Sequence, residues 1–228
     1  MLHFKGKILL VFGDSIMNGS GNGGFGVGEY LEKDYGFVLK KYCVGGARTG
    51  YCEGKSWIVE QVRSAIENGE KPDYIIFNGF TNDCCQEEHG DCDVPLGEVE
   101  EGFENFDIFA LSEKNTNFSN CFQNILAAFK KYFPAAKAIF VRPHKMGRRG
   151  EEVQRVYGER AVMLCNKWGV TVADVYSDSG LNTFNADERD KYTFDSYGWG
   201  RGDCTHPNDL GYKEKYMPVI IKALKGNL

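Results

Sequence analysis

Residues Ile8 to Phe12 form an uninterrupted apolar run that stops at Gly13-Asp14-Ser15. A run this short, bounded by turn residues and lacking polar alternation, reads as a strand buried on both faces. Such strands belong to parallel sheets covered by helices, and those sheets keep their sites outside the carboxyl ends of the strands. Ser15 therefore stands where a sheet of this kind does its chemistry. It is a candidate nucleophile; the plainer alternative is that Asp14 or Ser15 only caps the helix that follows.

The rest of the chain repeats the pattern. Further strands are expected at 37–44, stopped by Gly45-Gly46, and at 72–79, 137–141 and 170–175. Between them lie a weakly helical stretch at 25–33, a helix at 56–69 with Ser56 as N-cap and Asn68-Gly69 as stop, and amphipathic helices at 117–132 and 151–168. A closing helix is expected at 209–224, after a polar, aromatic stretch at 177–208 with no clear structure. This alternation predicts an α/β fold with a parallel five-stranded sheet covered on both faces, built as a single domain over residues 1–228. One segment breaks the rhythm: 84–114 is long, acidic and aperiodic. It reads either as a lid or binding loop, or as a solvated excursion without a role.

Composition narrows the class. The 228 residues are 42% hydrophobic and 26% charged, as in an ordinary globular protein with a sizeable core. A net charge of -5 lacks the basic face of a nucleic-acid binder. No run reaches the roughly 18 apolar residues that span a bilayer, and residues 1–7 lack the apolar core of a signal peptide. A cytoplasmic protein with no nucleic-acid or membrane partner is expected. Its eight cysteines (Cys43, Cys52, Cys84, Cys85, Cys92, Cys121, Cys165 and Cys204) read mostly as reduced, small buried hydrophobes. Gly19-Ser-Gly21-Asn-Gly-Gly24 matches a dinucleotide fingerprint only literally, because it neither follows the strand directly nor has the required acid downstream. A loop bordering a cleft is the better reading. Cys84-Cys85, His89 and Cys92 carry metal-ligand types, but their spacing matches no common structural site. No metal and no cofactor are expected.

Three strand ends present polar, glycine-bearing turns to one sheet edge: Gly13-Asp14-Ser15, Gly45-Gly46-Ala47-Arg48 and Gly79-Phe80-Thr81-Asn82-Asp83. The N–H groups of Ser15 and Gly46 and the Asn82 amide are candidate donors to an oxyanion. A general base is needed, and four histidines are available. His3 lies at the wrong end of the sheet, His89 in the acidic segment, and His144 after the fourth strand on the correct edge. Only His206 brings its own carboxylate, Asp203, three residues upstream. Arg48 and Arg142 either contact an anionic substrate group or pair with the acidic segment. Asp14 and Asp83 read as turn anchors.

Taken in order, Gly13-Asp14-Ser15-Ile16, the Gly46 turn, Gly79-Phe80-Thr81-Asn82-Asp83 and Asp203-Cys204-Thr205-His206 resemble the four blocks of the GDSL, or SGNH, hydrolase family. The resemblance implies a flavodoxin-like three-layer α/β/α fold. It also implies Ser15 as nucleophile, His206 as base, Asp203 as its orienting acid, and Ser15 N–H, Gly46 and Asn82 as oxyanion hole. Two features depart from the pattern: the third block is one residue longer than its commonest form, and Gly45 competes with Gly46. Met17 excludes the rival G-x-S-x-G elbow. The implied activity is hydrolysis of short acyl esters, O-acetyl groups on a carbohydrate being favoured for want of an apolar acyl channel. A lysophospholipase or thioesterase acting on longer chains is the alternative within the class, and a non-catalytic glycan-binding module is the alternative outside it.

Overall fold

In a computed structural model, which describes residues 4–84, 94–102, 105–113 and 116–226, the opening apolar run is strand β1 (Ile8–Phe12). Four more strands lie parallel to it: β2 (Val38–Lys41), β3 (Tyr74–Phe77), β4 (Lys137–Arg142) and β5 (Thr171–Asp174), in the order β2-β1-β3-β4-β5. The chain runs outward from β1 to β2, then crosses back to start β3 on the other side of β1. That reversal opens a crevice at the carboxyl ends of β1 and β3. The turn carrying Ser15 follows one of these strands, and the turn carrying Asn82 follows the other.

Nine α-helices accompany the sheet among the described residues: α1 (Ser15–Asn18), α2 (Val27–Tyr35), α3 (Ile58–Glu67), α4 (Phe118–Tyr132), α5 (Glu151–Lys167), α6 (Val175–Asp178), α7 (Ala186–Tyr192), α8 (Asp209–Gly211) and α9 (Met217–Gly226). Alternation along β1 sends neighbouring side chains to opposite layers. Val11 and Leu39 pack against the backbone of α2 at Gly28, while Phe12 turns to the other face and stacks on Phe129 of α4 at 5.8 Å. On that face Phe77 meets Phe122, Phe129 and Phe140 at centroid distances of 5.8, 5.1 and 5.4 Å. Each ring buried there contributes roughly 1.5–3 kcal/mol, which makes this aromatic layer a main anchor between sheet and helices.

Several local expectations give way to tertiary context. β2 is shorter than the apolar run that predicts it, and its residues are only partly covered because it forms the sheet edge. Ser56 does not cap α3; the capping position is Trp57, whose indole N–H instead donates to Thr49 O at 2.7 Å. The stretch expected to lack structure holds α7, capped by Asn185, and α6 begins at Val175, the last residue of the expected fifth strand. The closing helix is split into α8, a π-helical turn at Tyr212–Tyr216, and α9. Pro218 gives the reason: it has no N–H to offer the preceding turn, and its ring crowds the carbonyl four residues back, so the chain widens just before it.

The described parts of the acidic segment are strapped to the α3–α5 layer through its backbone carbonyls. Tyr157 donates to Val94 O, Ser119 Oγ to Leu96 O at 2.7 Å, Arg160 to Gly97 O at 2.6 Å and Lys167 to Glu100 O at 2.7 Å. Arg63 of α3 holds Ile108 O and Leu111 O, each at 2.8 Å. Cys85, His89 and Cys92 lie outside the described residues, as does His3. The cysteine expectation holds for Cys84, Cys121 and Cys165, which are buried and form no disulfide. It fails at Cys52, which is disulfide-bonded. No described helix is long and apolar enough to cross a membrane.

Candidate active site

The turn after β1 is built by two side-chain amides. Gln61, buried on α3, accepts from Gly13 N at 2.8 Å and donates back to Gly13 O at 2.9 Å. Asn78, directly after β3, accepts from Asp14 N at 3.1 Å and donates to Asp14 Oδ1 at 2.9 Å. Gly13 adopts φ +137°, and a Cβ there would lie 1.9 Å from Asn78 Oδ1, so only glycine fits between the two clamps. Asp14 then accepts from Ile16 N at 2.8 Å and is the N-cap, which makes Ser15 the first residue of α1. Both turn-anchor expectations match this geometry. Asp14 is fully buried, and burial pushes its carboxyl above the ordinary range. Asp83 accepts from Thr49 N at 3.0 Å and Gly50 N at 2.7 Å, and burial pushes it up to about 6.

Ser15, His206 and Asp203, which are 191 and 3 residues apart in sequence, form one hydrogen-bonded chain. Ser15 Oγ is 2.9 Å from His206 Nε2, and His206 Nδ1 is 2.5 Å from Asp203 Oδ2. The other carboxylate oxygen of Asp203 accepts from the backbone N–H groups of Thr205 and His206 at 2.9 and 2.8 Å. Burial would raise the Asp203 carboxyl, but its bonds to His206, to the Ser196 hydroxyl and to backbone donors outweigh this and hold it below the usual value. A carboxylate so held fixes Nδ1 as the protonated nitrogen, leaving Nε2 to accept from the serine. The glycine-rich loop passes against this histidine: a Cβ on Gly21 would lie 2.7 Å from His206 Cβ.

The oxyanion candidates converge less completely. The 44–47 turn is tied to the Ser15 turn by Val44 N donating to Gly13 O at 3.1 Å. Within it Gly46, rather than Gly45, takes a left-handed conformation, with φ +76°. Asn82 Nδ2 donates to Ala47 O at 2.9 Å, which joins the third block to the second and leaves one amide hydrogen for another acceptor.

His144, the competing base, is fully enclosed. Its Nδ1 meets Tyr216 Oη at 2.7 Å and its Nε2 meets Cys204 O at 3.2 Å, and burial pushes its pKa down to about 4. It is a neutral strut. It supports a strained spot, since Cys204 has φ +68° and is not glycine. Thr183 Oγ1 reaches the same carbonyl at 2.8 Å, and Thr193 Oγ1 accepts from Cys204 N at 3.3 Å. The geometry of the Asp203–His206 turn is thereby set from outside the turn. Arg142 pairs with Asp174 at 3.3 Å and stacks on Tyr176 at 4.1 Å, rather than pairing with a described residue of the acidic segment. Arg48 is buried beside Asp83, whose carboxyl it helps to keep charged.

Sequence reading misses three members of this assembly. Gln61 is a polar residue on the apolar face of its helix, which was a usable signal. Asn78 borders the third block. Ser196, whose hydroxyl donates to Asp203 Oδ2 and lies 3.4 Å from His206 Nδ1, sits in a stretch without periodicity and gives no sign.

Comparison with known proteins agrees with this architecture. No curated protein matches the chain. Among solved structures, a protein from Lactobacillus plantarum shares 18% identity with a TM-score of 0.71, over 99% of this chain and 98% of the other. The lipase/acylhydrolase from Enterococcus faecalis shares 15% identity at a TM-score of 0.62, over 97% of each chain. An acetyl xylan esterase from Geobacillus stearothermophilus shares 18% at 0.52, over 97% and 94%. At such identities these likenesses speak for the fold. The model of the GDSL-like lipase/acylhydrolase family matches residues 11–214, a span that runs from the end of β1 past His206, and the chain belongs to that family.

Proposed function

We propose that the protein is a serine carboxylic ester hydrolase that removes short acyl groups, with O-acetylated carbohydrate as its substrate class. The observation that carries this reading is the continuous chain Ser15 Oγ–His206 Nε2 at 2.9 Å and His206 Nδ1–Asp203 Oδ2 at 2.5 Å. Ser15 Oγ attacks the ester carbonyl as His206 Nε2 takes its proton, and Asp203 steadies the imidazolium. The carbonyl oxygen, now negative, accepts from Ser15 N–H, Gly46 N–H and the second hydrogen of Asn82 Nδ2. Collapse of the tetrahedral adduct breaks the bond to the alcohol, which leaves with the proton held on His206. Water then gives its proton to His206 and attacks the acyl–Ser15 carbonyl; collapse of this second adduct breaks the Ser15 Oγ–acyl bond, His206 returns the proton to Ser15 Oγ, and the acid is released. No step requires a metal or an organic cofactor.

The carbohydrate reading is supported by the large aromatic side chains left in solvent beside the Asp203 turn, among them Phe194, Tyr197 and Trp199, and by the likeness in fold to an acetyl xylan esterase. Ser15→Ala is expected to abolish hydrolysis of p-nitrophenyl acetate with an unchanged circular dichroism spectrum. Fluorophosphonate labelling should mark wild type but not this variant. An unlabelled wild type would favour a non-catalytic glycan-binding module. Rates on acetyl, butyryl and octanoyl esters should fall with length; a preference for octanoyl would replace the short-acyl reading with a lysophospholipase or thioesterase.

A further inference from the structure

The glycine-rich loop, Gly19–Gly24, has no part in the chemistry proposed above, yet it touches two of the four blocks. Gly21 lies against the base: a Cβ there would stand 2.7 Å from His206 Cβ and 2.8 Å from Pro207 O. Gly21 is not in the left-handed region, so glycine is needed at this position for room alone. One residue earlier, Ser20 Oγ faces the 44–47 turn, 3.6 Å from where a Cβ on Gly45 would stand. The loop therefore runs between the turn that carries Gly46 and the backbone of His206.

Four of its six residues are glycine, so the loop has little stiffness of its own and owes its place to the groups that fasten it. Lys41, the last residue of β2, donates from Nζ to Asn18 O and Gly24 O, both at 2.8 Å, and so joins the two ends of the loop. Its third bond goes to Glu29 Oε1 at 2.7 Å, and the other oxygen of Glu29 accepts from Gly26 N at 2.8 Å. Inside the loop, Asn22 Nδ2 donates to Phe25 O at 2.9 Å and to Tyr30 Oη at 3.0 Å. Tyr30 in turn donates to Asp209 Oδ1 at 2.5 Å, three residues beyond His206. Loop and histidine segment thus share one hydroxyl. Gly21 meets His206 at Cβ, while Asp203 holds its ring at Nδ1.

We propose that this loop is the backrest of His206 and that Lys41 is a positioning residue for it. By joining Asn18 O to Gly24 O, Lys41 fixes where Gly21 stands, and with it the approach of His206 Nε2 to Ser15 Oγ. The rate effects rest on the hydrolase reading, but the position of His206 can be measured without hydrolysis. In Lys41→Met, kcat for p-nitrophenyl acetate should fall about tenfold with KM unchanged, since a misplacement of about 1 Å can cost about a hundredfold. Gly21→Ala forces the loop or the histidine to move and should lower kcat at least as far. Lys7→Met is the control: it breaks an ion pair of 2.8 Å to Asp73 at the opposite end of the sheet and should leave kcat as in wild type. A wild-type kcat in Lys41→Met, or equal falls in Lys41→Met and Lys7→Met, would overturn the proposal. So would a rise in KM alone, which would make the loop a wall of the substrate cleft instead. The second readout is heteronuclear NMR of the histidine rings in substrate-free protein, with His206 assigned by its absence in His206→Gln. Its ring signals should shift or broaden in Lys41→Met and stay in place in Lys7→Met. Unmoved signals would overturn the backrest whatever the rates show. Moved signals in a protein whose wild type hydrolyses no ester would support the backrest and defeat the hydrolase reading alone.

Discussion

At the scale of single residues, the candidate site is braced by groups outside the Ser15–His206–Asp203 chain. Ser196 donates to the same Asp203 oxygen that holds His206. Ser196→Ala is expected to lower kcat about tenfold with KM unchanged, the equivalent of one hydrogen bond to a charged group. His144 has a different signature. Its folded pKa of about 4 lies below the ordinary histidine value of 6.5, so between those limits the unfolded chain binds a proton that the native protein does not. Its contribution to stability is present above pH 6.5 and is lost as pH falls toward 4, at about 1.4 kcal/mol per pKa unit. Asp83, raised to about 6, acts in the opposite direction, losing stability as pH rises. Thermal melts of wild type and His144→Gln should isolate the histidine: the variant melts lower at pH 7, and the difference narrows toward pH 4. A constant difference would mean that His144 is not held neutral.

At the scale of elements, the position of Ser15 is a joint product of β1, α3 and β3. α1 has only four residues, so its dipole adds little; the donors and the direction of the chain come from the Gln61 and Asn78 clamps. Gln61→Leu would leave Gly13 N–H buried without a partner, at a cost of roughly 1–3 kcal/mol, while Gly13 C=O keeps only its bond from Val44 N. A fall in Tm of at least about 2 °C is expected in a chain of this size, together with reduced ester hydrolysis. A variant as stable as wild type would show that water replaces the amide. These clamps also show where legibility stops. β1, β3 and the four blocks were readable because short apolar runs and glycine turns are local signals. Gln61 pairs with a residue 48 positions away, and no local rule specifies that partner. The widened turn before α9 and the short helices α6 and α7 were missed for related reasons, one from underweighting Pro218 and the other because helices this short carry little periodicity.

At the scale of the whole molecule, the last segment closes back on the first. Tyr212 of the π-helical turn donates to Ile16 O at 2.5 Å, and Tyr30 of α2 donates to Asp209 Oδ1 at 2.5 Å. With one sheet shared by all five strands, heat unfolding is expected to be a single calorimetric transition in which hydrolysis and near-ultraviolet dichroism are lost together. Two resolved transitions would overturn the proposal that residues 1–228 are one domain.

The sequence by itself determined the class of fold and the sheet edge that bears the candidate site, and it named Ser15, Asp203 and His206 as candidates, because strand ends, glycine turns and a histidine with a nearby acid are written in local chemistry. Only the tertiary structure decided which histidine meets the serine. It enclosed His144 between Tyr216 and Cys204 and left His206 in reach of Ser15 Oγ. It also decided how the described parts of the acidic segment are held, and that Ser196 stands beside Asp203. Burial and contacts between residues far apart in the chain arise only when the layers pack, and one-dimensional pattern carries neither.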